Sequence, residues 1–332
     1  MKILMLGFSD YLSNLVSHLE DTTFLIENDV DIMFAESSAK RKIFNFKSIK
    51  SLKKHTATKI IAKFMLRLNS NSIKENLDSL FHKVDISFVE NYSNVKILKF
   101  SGLENIKKLD EYDFMIVATF GQKIPAKVFN MPKRRTLNIH PSYLPELRGG
   151  YPTYVESYKS SSHSGTTIHY MEDKWDNGAV IIQKKYEVDS NMNNNDRFLL
   201  SSKYAALFLN DLHKNKYAIN PLNQVLKNVS YCHKIVKPKS ELYLLKKGDN
   251  IQGIVRANYA RHLFPFTYLF YNASLFSIIE ISLISDKRSI PIKYIDNNII
   301  KIFRVTSNFV LNFYGIFYNI KKFIYKGKLN VN

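Results

Sequence analysis

The sequence predicts an α/β protein in which a doubly wound, mostly parallel sheet domain is followed by a small OB-like β-barrel domain. The chain opens with an apolar strand, Ile3 to Leu6, a turn at Gly7 and an amphipathic helix. Another apolar run of strand length, further along the chain, spans Phe114 to Thr119. From about Val229 the sequence becomes β-branched and aromatic, with short strand-like pieces between polar turns, which is typical of a small barrel.

The first helix is predicted from apolar residues spaced three or four apart, a spacing that buries one helix face. These residues are Leu12, Leu15, Val16 and Leu19. Val30 to Ala35 reads as a second strand, and the alternation of Val84, Ile86 and Phe88 predicts another. Gly7 stands alone at the first turn, whereas a dinucleotide site needs more glycines, so NAD or FAD binding is not expected.

At 332 residues the chain is long enough for two domains with their own cores. We place the sheet domain at residues 1–198, a helix and linker at 199–227 and the barrel at 228–332. The barrel strands are expected at Leu242 to Leu245, Phe266 to Tyr271, Ser277 to Ile284, Ile299 to Val305 and Phe309 to Phe313.

Composition narrows the function classes. The formal net charge of +19 indicates a polyanionic partner, either nucleic acid or a negatively charged membrane surface, although a Lys-rich composition alone also explains it. A single cysteine, Cys232, excludes a disulfide framework or a cysteine metal site within one chain.

The longest apolar runs, such as Leu275 to Ile284, fall short of a membrane span, so no membrane partner is expected. Met1 and Lys2 lead directly into the first strand, so no leader peptide is expected ahead of the fold, and any import signal is expected to be missing, unusual or internal.

One segment concentrates the positive charge. From Ser38 to Arg67 there are ten Lys or Arg residues and no acidic residue. The segment is either a solvated surface of biased composition or a surface that follows phosphates, with Phe44 and Phe46 able to pack on an exposed nucleotide.

Three residues form a candidate catalytic set. Asn138 and His140 lie two apart at a predicted strand end, so their side chains project to the same side. Asp176 begins an Asp-Asn-Gly turn whose carboxylate can reach that pair. Acyl transfer to an amine needs donors aimed at the oxygen of a tetrahedral intermediate and an ionisable pair that carries away the amine proton. His169 is interpreted as a core or rim histidine, and Trp175 as a packing residue or one that desolvates Asp176.

Several motifs in this order resemble those of the folate-dependent formyltransferases. They are DFMIVATFGQKIP at Asp113 to Pro125, LNIHPSYLPELRGGYP at Leu137 to Pro152, the SGTT strand from Ser164 and the Asp176 turn. The continuation from Leu147 to Pro152 is similar to that of the methionyl-tRNA formyltransferase family. The resemblance extends more weakly toward both ends of the chain.

The resemblance implies that Asn138, His140 and Asp176 are catalytic. Asn138 and a protonated His140 would stabilise the oxyanion, while Asp176 orients and charges His140 and helps to remove the amine proton. The formyl donor would be 10-formyltetrahydrofolate, and no metal is required. The implied folate-binding residues are Phe120, Gly121, Ile124, Pro125, Ser142 and Gly178.

The resemblance also implies that the acceptor is initiator Met-tRNA. In this family the loop after the second strand enters the acceptor end of the tRNA, and the segment from Ser38 to Arg67 occupies that position here. The implied tRNA-binding residues are Lys40, Arg41, Lys42, Lys47, Arg148, Lys237, Lys321 and Lys322.

Two other functions remain open. One is a formyltransferase for another amine, such as a ribonucleotide or a sugar nucleotide, and the other is a non-catalytic RNA-binding protein on the same scaffold. The Lys-Trp-Asp form of the turn, at Lys174 to Asp176, is similar to mitochondrial members of the family, which implies the mitochondrial matrix with the cytoplasm as the alternative. We expect a monomer.

Overall fold

The computed structural model describes residues 1–35, 85–106 and 108–235, and further along the chain 243–244, 253, 256–257, 267–271, 274–281, 292–296 and 299–306. The chain divides into two compact units. One comprises residues 1–44, 83–156 and 161–237, and the other comprises residues 45–82, 157–160 and 238–332. The domain boundaries expected near 198 and 228 stay predictions.

The first unit is built on a seven-stranded sheet. Its strands are β1 (Lys2–Phe8), β2 (Asp29–Ala35), β3 (Val95–Leu98), β4 (Phe114–Ala118), β5 (Thr136–His140), β6 (His163–Tyr170) and β7 (Val180–Glu187). The order is β3-β2-β1-β4-β5-β6-β7. The first five are parallel, and β6 and β7 join antiparallel. The predicted mixed, mostly parallel sheet is confirmed.

The α-helices are α1 (Ser9–Ser17), α2 (Thr23–Glu27), α3 (Ala126–Phe129), α4 (Pro152–Tyr158), α5 (Asn194–Lys214) and α6 (Cys232–Ile235). The four apolar residues that predicted the first helix are all fully buried. Among the described residues, short 3-10 helices lie at Ser87–Asn91, Leu103–Asn105 and Leu109–Glu111.

Both faces of the sheet carry a hydrophobic core, which explains the continuous apolar strands. Along β1, Ile3 and Met5 belong to the cluster that also contains the buried face of α1 and part of α5. Leu4 and Leu6, on the opposite face, pack in the cluster around Phe129. Burial of each such side chain stabilises the fold by roughly 1.5 to 3 kcal/mol.

The prediction of a strand around Ile86 and Phe88 is wrong. The described part of this segment is a 3-10 helix, and the next strand starts at Val95. The Asp85 carboxylate accepts hydrogen bonds from the Ser87 backbone N–H at 2.9 Å and from its hydroxyl at 3.1 Å. This local turn competes with an extended backbone and starts the helix. Val84 lies outside the described residues.

The second unit contains β8 (Tyr243–Leu244), β9 (Thr267–Tyr271), β10 (Ser274–Ile281), β11 (Ile292–Asp296) and β12 (Ile299–Thr306). They form one sheet in the order β11-β12-β10-β9-β8, antiparallel except for β8 with β9. The segment Phe309 to Phe313 lies outside the described residues, and the sequence pattern did not predict β11. An OB-like barrel stays a prediction.

Within the described ranges, no helix is long and apolar enough to cross a membrane. In the same residues, no group of three or more His, Cys, Asp or Glu side chains could hold a metal ion.

Candidate active site

Strand β5 carries Asn138 and His140 into the site. It pairs with β6 in an antiparallel register that sets Asn138 opposite His169. The Ser142 N–H donates to the His140 carbonyl at 2.9 Å, so the chain turns directly after the strand. Alternation along the strand points both side chains to one side, where each meets Asp176.

Asp176 sits in a strained turn before β7. Its φ of +51° is in the left-handed region, which Asp tolerates better than most residues because its short polar side chain bonds locally. A Cβ on Gly178 would overlap the Tyr170 carbonyl. The turn therefore presses against the end of β6, and this close approach requires glycine at 178.

Asp176 is 8% exposed, and its carboxylate is surrounded by polar groups from three chain segments. Its Oδ2 accepts a hydrogen bond from the Gly149 N–H at 2.7 Å. Its Oδ1 lies 3.3 Å from Asn138 Nδ2, 3.5 Å from His140 Nδ1 and 3.6 Å from His169 Nε2. The structure thus brings the three predicted catalytic residues together and adds a second histidine.

The carbonyl partners of the two histidines fix their neutral tautomers. Leu147 O lies 3.0 Å from His140 Nε2, and Tyr170 O lies 2.8 Å from His169 Nδ1. A carbonyl only accepts, so these two nitrogens carry the hydrogens. The unprotonated Nδ1 of His140 then faces Asp176, and His169 Nε2 accepts from Asn138 Nδ2 at 3.0 Å.

Burial and charge set the ionisation of this group. Burial disfavours a charged Asp176, but the attraction of His140 and His169 in their charged forms, the hydrogen bond that a protonated His169 donates, and the Gly149 N–H outweigh it and lower the pKa of Asp176 to about 2. Burial lowers the pKa of His140 below its ordinary 6.5, although Asp176 opposes this. Only a charged His140 attracts the carboxylate strongly, so the lowered pKa of His140, which favours the neutral ring, works against the lowered pKa of Asp176. His140 is only 4% exposed, so burial decides its ionisation, and the pair is an anionic Asp176 beside a neutral His140 at pH 7.

A cavity of about 50 Å³ opens in front of Asn138, His169 and Asp176. Its other walls are Val117, Phe120, Gln122, Lys123, Ile124, Met171, Glu172, Asp173 and Trp175. A water needs roughly 10 to 15 Å³ on this measure, so a group of a few heavy atoms fits. His140 is not among the lining residues and lies behind Asp176.

Two of the six predicted folate-binding residues, Phe120 and Ile124, line this cavity. The other four are not lining residues: Gly121, Pro125, Ser142 and Gly178. A Cβ on Gly121 would lie 2.7 Å from the Phe8 ring, so this glycine is explained by packing. Pro125 is the N-cap residue of α3.

The Ser142 hydroxyl is also used inside the protein. It donates to the Glu146 carbonyl at 2.8 Å, while the Ser142 carbonyl accepts from the Thr167 hydroxyl at 2.7 Å. Ser142 therefore shapes the loop after β5.

Arg148 is corrected from a phosphate contact to an internal residue. It is 3% exposed, its Nη1 donates to Asn177 Oδ1 at 2.7 Å, and its Nη2 donates to Gln224 Oε1 at 2.6 Å. Two side-chain oxygens draw the guanidinium inward, away from solvent. The other predicted tRNA-binding residues lie outside the described residues: Lys40, Arg41, Lys42, Lys47, Lys237, Lys321 and Lys322.

Sequence reasoning missed Gln224, favoured a core or rim position over a site role for His169, and left packing as one of two interpretations of Trp175. His169 reaches the site because the pairing of β5 with β6 sets it opposite Asn138, and the residues around His169 in the sequence do not indicate this pairing. Trp175 is 52% exposed and lines the cavity, so packing does not explain it. Gln224 donates to the Asp176 carbonyl from a segment 48 residues further along the chain.

Comparison with known proteins identifies the fold. Residues 84–199 match the family described as Formyl transferase. The chain is similar to the methionyl-tRNA formyltransferase of Ehrlichia ruminantium (strain Welgevonden), with 28% identity over 191 residues. This match covers 58% of the chain and 60% of the relative, so the chain spans less than two thirds of the relative's length.

Two solved structures share the architecture. WlaRD, a sugar 3N-formyl transferase determined in the presence of dTDP and 5-N-formyl-THF, superposes with a TM-score of 0.55 at 19% identity, covering 93% of this chain and 98% of that one. Methionyl-tRNA formyltransferase from Clostridium thermocellum gives 0.52 at 12% identity, covering 93% and 100%. At these identities the likeness shows the fold alone. Over residues 84–199, therefore, the chain is similar to the family described as Formyl transferase.

Proposed function

We propose that this chain transfers the formyl group of 10-formyltetrahydrofolate to the α-amine of methionyl-initiator tRNA in translation initiation. The observation that carries the proposal is the group of Asn138, His169 and Asp176 on the wall of one cavity, with His140 behind it. Relatives named methionyl-tRNA formyltransferase support this acceptor. The neighbour determined with 5-N-formyl-THF supports a folate donor, and the apolar walls at Phe120, Ile124 and Trp175 suit a pterin.

Asn138 stabilises the negative charge that develops on the formyl oxygen when the amine attacks the formyl carbon. Its amide faces the cavity and donates to His169 at 3.0 Å and to Asp176 at 3.3 Å. The bond to Asp176 is the longer of the two, and we assign that N–H to the oxyanion. His169 meanwhile keeps the amide in place.

Asp176 accepts the proton that the amine loses as the new C–N bond forms. His140 Nδ1 lies 3.5 Å behind Oδ1, is unprotonated in the neutral ring and is the stronger base, so it takes the proton on. The proton returns by the same route to the nitrogen of tetrahydrofolate as its bond to the formyl carbon breaks. His140 thus acts through Asp176 and is not itself the oxyanion donor, because its Nε2–H is bound to Leu147.

A second candidate is formyl transfer to the amine of a sugar nucleotide. The likeness to the sugar 3N-formyl transferase WlaRD favours it. The deciding experiment offers the purified chain 10-formyltetrahydrofolate with charged initiator Met-tRNA or with an amino-sugar nucleotide. We expect formylmethionyl-tRNA as the product. Formylation of the sugar nucleotide alone would reject the tRNA acceptor, and tRNA binding without either product would indicate a non-catalytic RNA-binding protein.

Variants test the catalytic set. Asn138→Ala, His140→Ala and Asp176→Asn should each lower kcat by roughly two to four orders of magnitude, the range for an oxyanion donor or an acid/base group. Asp173→Asn is the matched control, because Asp173 is an exposed carboxylate that lines the same cavity. Near-normal turnover in His140→Ala or Asp176→Asn would reject the mechanism.

Donor binding has a built-in probe, since Trp175 is the one tryptophan of the chain and lines the cavity. Its fluorescence should change on addition of 5-formyltetrahydrofolate without tRNA. An unchanged emission would move the folate site elsewhere.

We also propose a monomer in the mitochondrial matrix. The turn at Lys174 to Asp176 supports this location by its likeness to mitochondrial family members. Gel filtration of the purified chain and immunodetection in fractionated cells test the two points. Recovery outside mitochondria would leave the cytoplasm, the alternative.

A further inference from the structure

A segment beyond the matched family region fastens the two loops of the site. We call this segment, Leu222 to Cys232, the strap. At its start Leu222 and Val180 exchange two backbone hydrogen bonds of 2.8 Å, which ties the strap to the beginning of β7. At its end the Arg148 N–H donates to the Ser230 carbonyl and the Cys232 N–H donates to the Arg148 carbonyl, both at 2.9 Å.

Gln224, near the start of the strap, forms hydrogen bonds with the turn that carries Asp176. Its Nε2 donates to the Asp176 carbonyl at 2.9 Å and to the Gly178 carbonyl at 2.8 Å. Its Oε1 accepts from Arg148 Nη2, whose other terminal nitrogen binds Asn177. All three residues of the Asp-Asn-Gly turn are therefore held by Gln224 and Arg148.

The turn needs this external support. Asp176 has a positive φ, and the Asn177 N–H reaches the Lys174 carbonyl only at 3.4 Å, so the turn's own hydrogen bonding is weak. The Arg148 Nε is also buried without a hydrogen-bond partner. Burying such a donor costs stability, which indicates that the guanidinium is placed for the geometry of the site.

We propose that Gln224 is a positioning residue, which holds the Asp176 carboxylate within reach of Asn138 and His140 without touching either substrate. Gln224 is not among the residues that line the cavity. The two carbonyls that Gln224 binds belong to Asp176, which bears the carboxylate, and to Gly178, two residues further along the chain. Releasing them lets the turn rotate, and Oδ1 then leaves its place at 3.3 Å from Asn138. The proposal rests on the formyl transfer proposed above.

Gln224→Glu is the most direct test, because the carboxylate still accepts from Arg148 while both donors to the turn are removed. A misplacement of about 1 Å at a reacting group costs up to roughly 100-fold in rate, so kcat should fall about 10- to 100-fold. The KM for the folate should stay within about two-fold, because the cavity walls are untouched. Gln224→Met, of similar length but without either polar atom, should likewise lower kcat while leaving the KM for the folate nearly unchanged.

Asn223→Met is the matched control, since Asn223 is exposed and adjacent in the strap. It should leave kcat unchanged. A wild-type kcat in Gln224→Glu would overturn the proposal, as would equal losses in Asn223→Met and Gln224→Met.

Hydrogen exchange separates this proposal from the proposed function. In Gln224→Glu the amides of residues 174–180 should exchange faster, while those of β1 and β4 stay protected. If the wild-type chain formylates neither acceptor, the proposed function fails and this measurement alone decides the positioning role. Unchanged exchange at residues 174–180 would overturn it.

Discussion

Replacing the buried carboxylic acid Glu156 by Gln should stabilise the first unit increasingly as the pH rises. Glu156 lies in α4 and is 6% exposed. Burial raises its pKa to about 8, although a hydrogen bond from the Ser164 hydroxyl at 2.6 Å and the charge of Arg197 oppose this. Arg197 Nη1 lies 3.8 Å from the carboxylate, and its guanidinium also donates to four backbone carbonyls, so its attraction is too weak to prevail.

The size of the effect follows from the two pKa values. The folded pKa of Glu156 is about 8 and the ordinary value is 4.5, so the folded state binds the proton more tightly. The resulting stability is fully present below pH 4.5 and is lost as the pH rises through 8. At 1.36 kcal/mol per pH unit, folding loses about 3 kcal/mol by pH 7 and about 5 kcal/mol above pH 8.

An amide has the shape of the protonated acid and does not ionise, so Glu156→Gln escapes this loss. Urea unfolding followed by Trp175 fluorescence reports the unit that contains both residues. The variant should match the wild type near pH 4.5 and exceed it by about 3 kcal/mol at pH 7. Glu146→Gln, at a carboxylate with a side chain 40% exposed, is the control. Parallel stability curves for Glu156→Gln and the wild type from pH 4.5 to 8.5 would refute the reasoning and make Glu156 the ionised partner of Arg197.

Two further predictions concern pH and salt. Because burial lowers the pKa of His140 below 6.5 and the ring must be neutral to take the proton from Asp176, kcat should fall with acid only below pH 6.5. A pH–rate profile whose acid limb lies above pH 6.5 would contradict the assignment. Changing Lys40, Arg41 and Lys42 together to Ala should raise the KM for tRNA and flatten the slope of log affinity against log salt by up to about one unit for each phosphate that is no longer neutralised. Unchanged salt dependence, with folate binding as the control, would mean that this charge does not meet tRNA.

The fold could be predicted where burial acts on a continuous run of residues. β1, β2 and β4 are apolar along most of their length because both faces of the sheet are covered, and this pattern is visible in one sequence. The prediction failed near Ile86 because one carboxylate, Asp85, closed a turn that outweighed the alternating pattern.

The candidate site was predictable in the same local sense. Asn138 and His140 share a side because strand geometry requires it, and the Asp176 turn is marked by its glycine. His169 was not predictable, because its place opposite Asn138 depends on the pairing of β5 with β6. A one-residue shift in that register would turn His169 to the other face of the sheet.

Charge in a sequence also does not say which way a side chain points. Arg148 and Arg197 count among the 48 Lys and Arg residues, yet both are buried and donate to oxygens inside the protein. Removing two from 48 barely changes the net charge. A polyanionic partner therefore stays a prediction, and it depends on the segment from Ser38 to Arg67 and on the basic residues beyond 235.

The residues that match the family end at 199, whereas Gln224, which holds the Asp176 turn together with Arg148, lies in the strap at 222–232. A chain cut after residue 199 would keep Asn138, His140 and Asp176 and would lose Gln224, the partner of Val180 at Leu222, and the two bonds to the Arg148 backbone. The proposed catalytic side chains and the strap residue proposed to position them are thus separated along the sequence. A motif search finds the first group, because chemistry restricts which residues can serve. The second group is found only in three dimensions, because what is required of Gln224 is two donors and one acceptor at the right place, and the sequence around it carries no trace of that requirement.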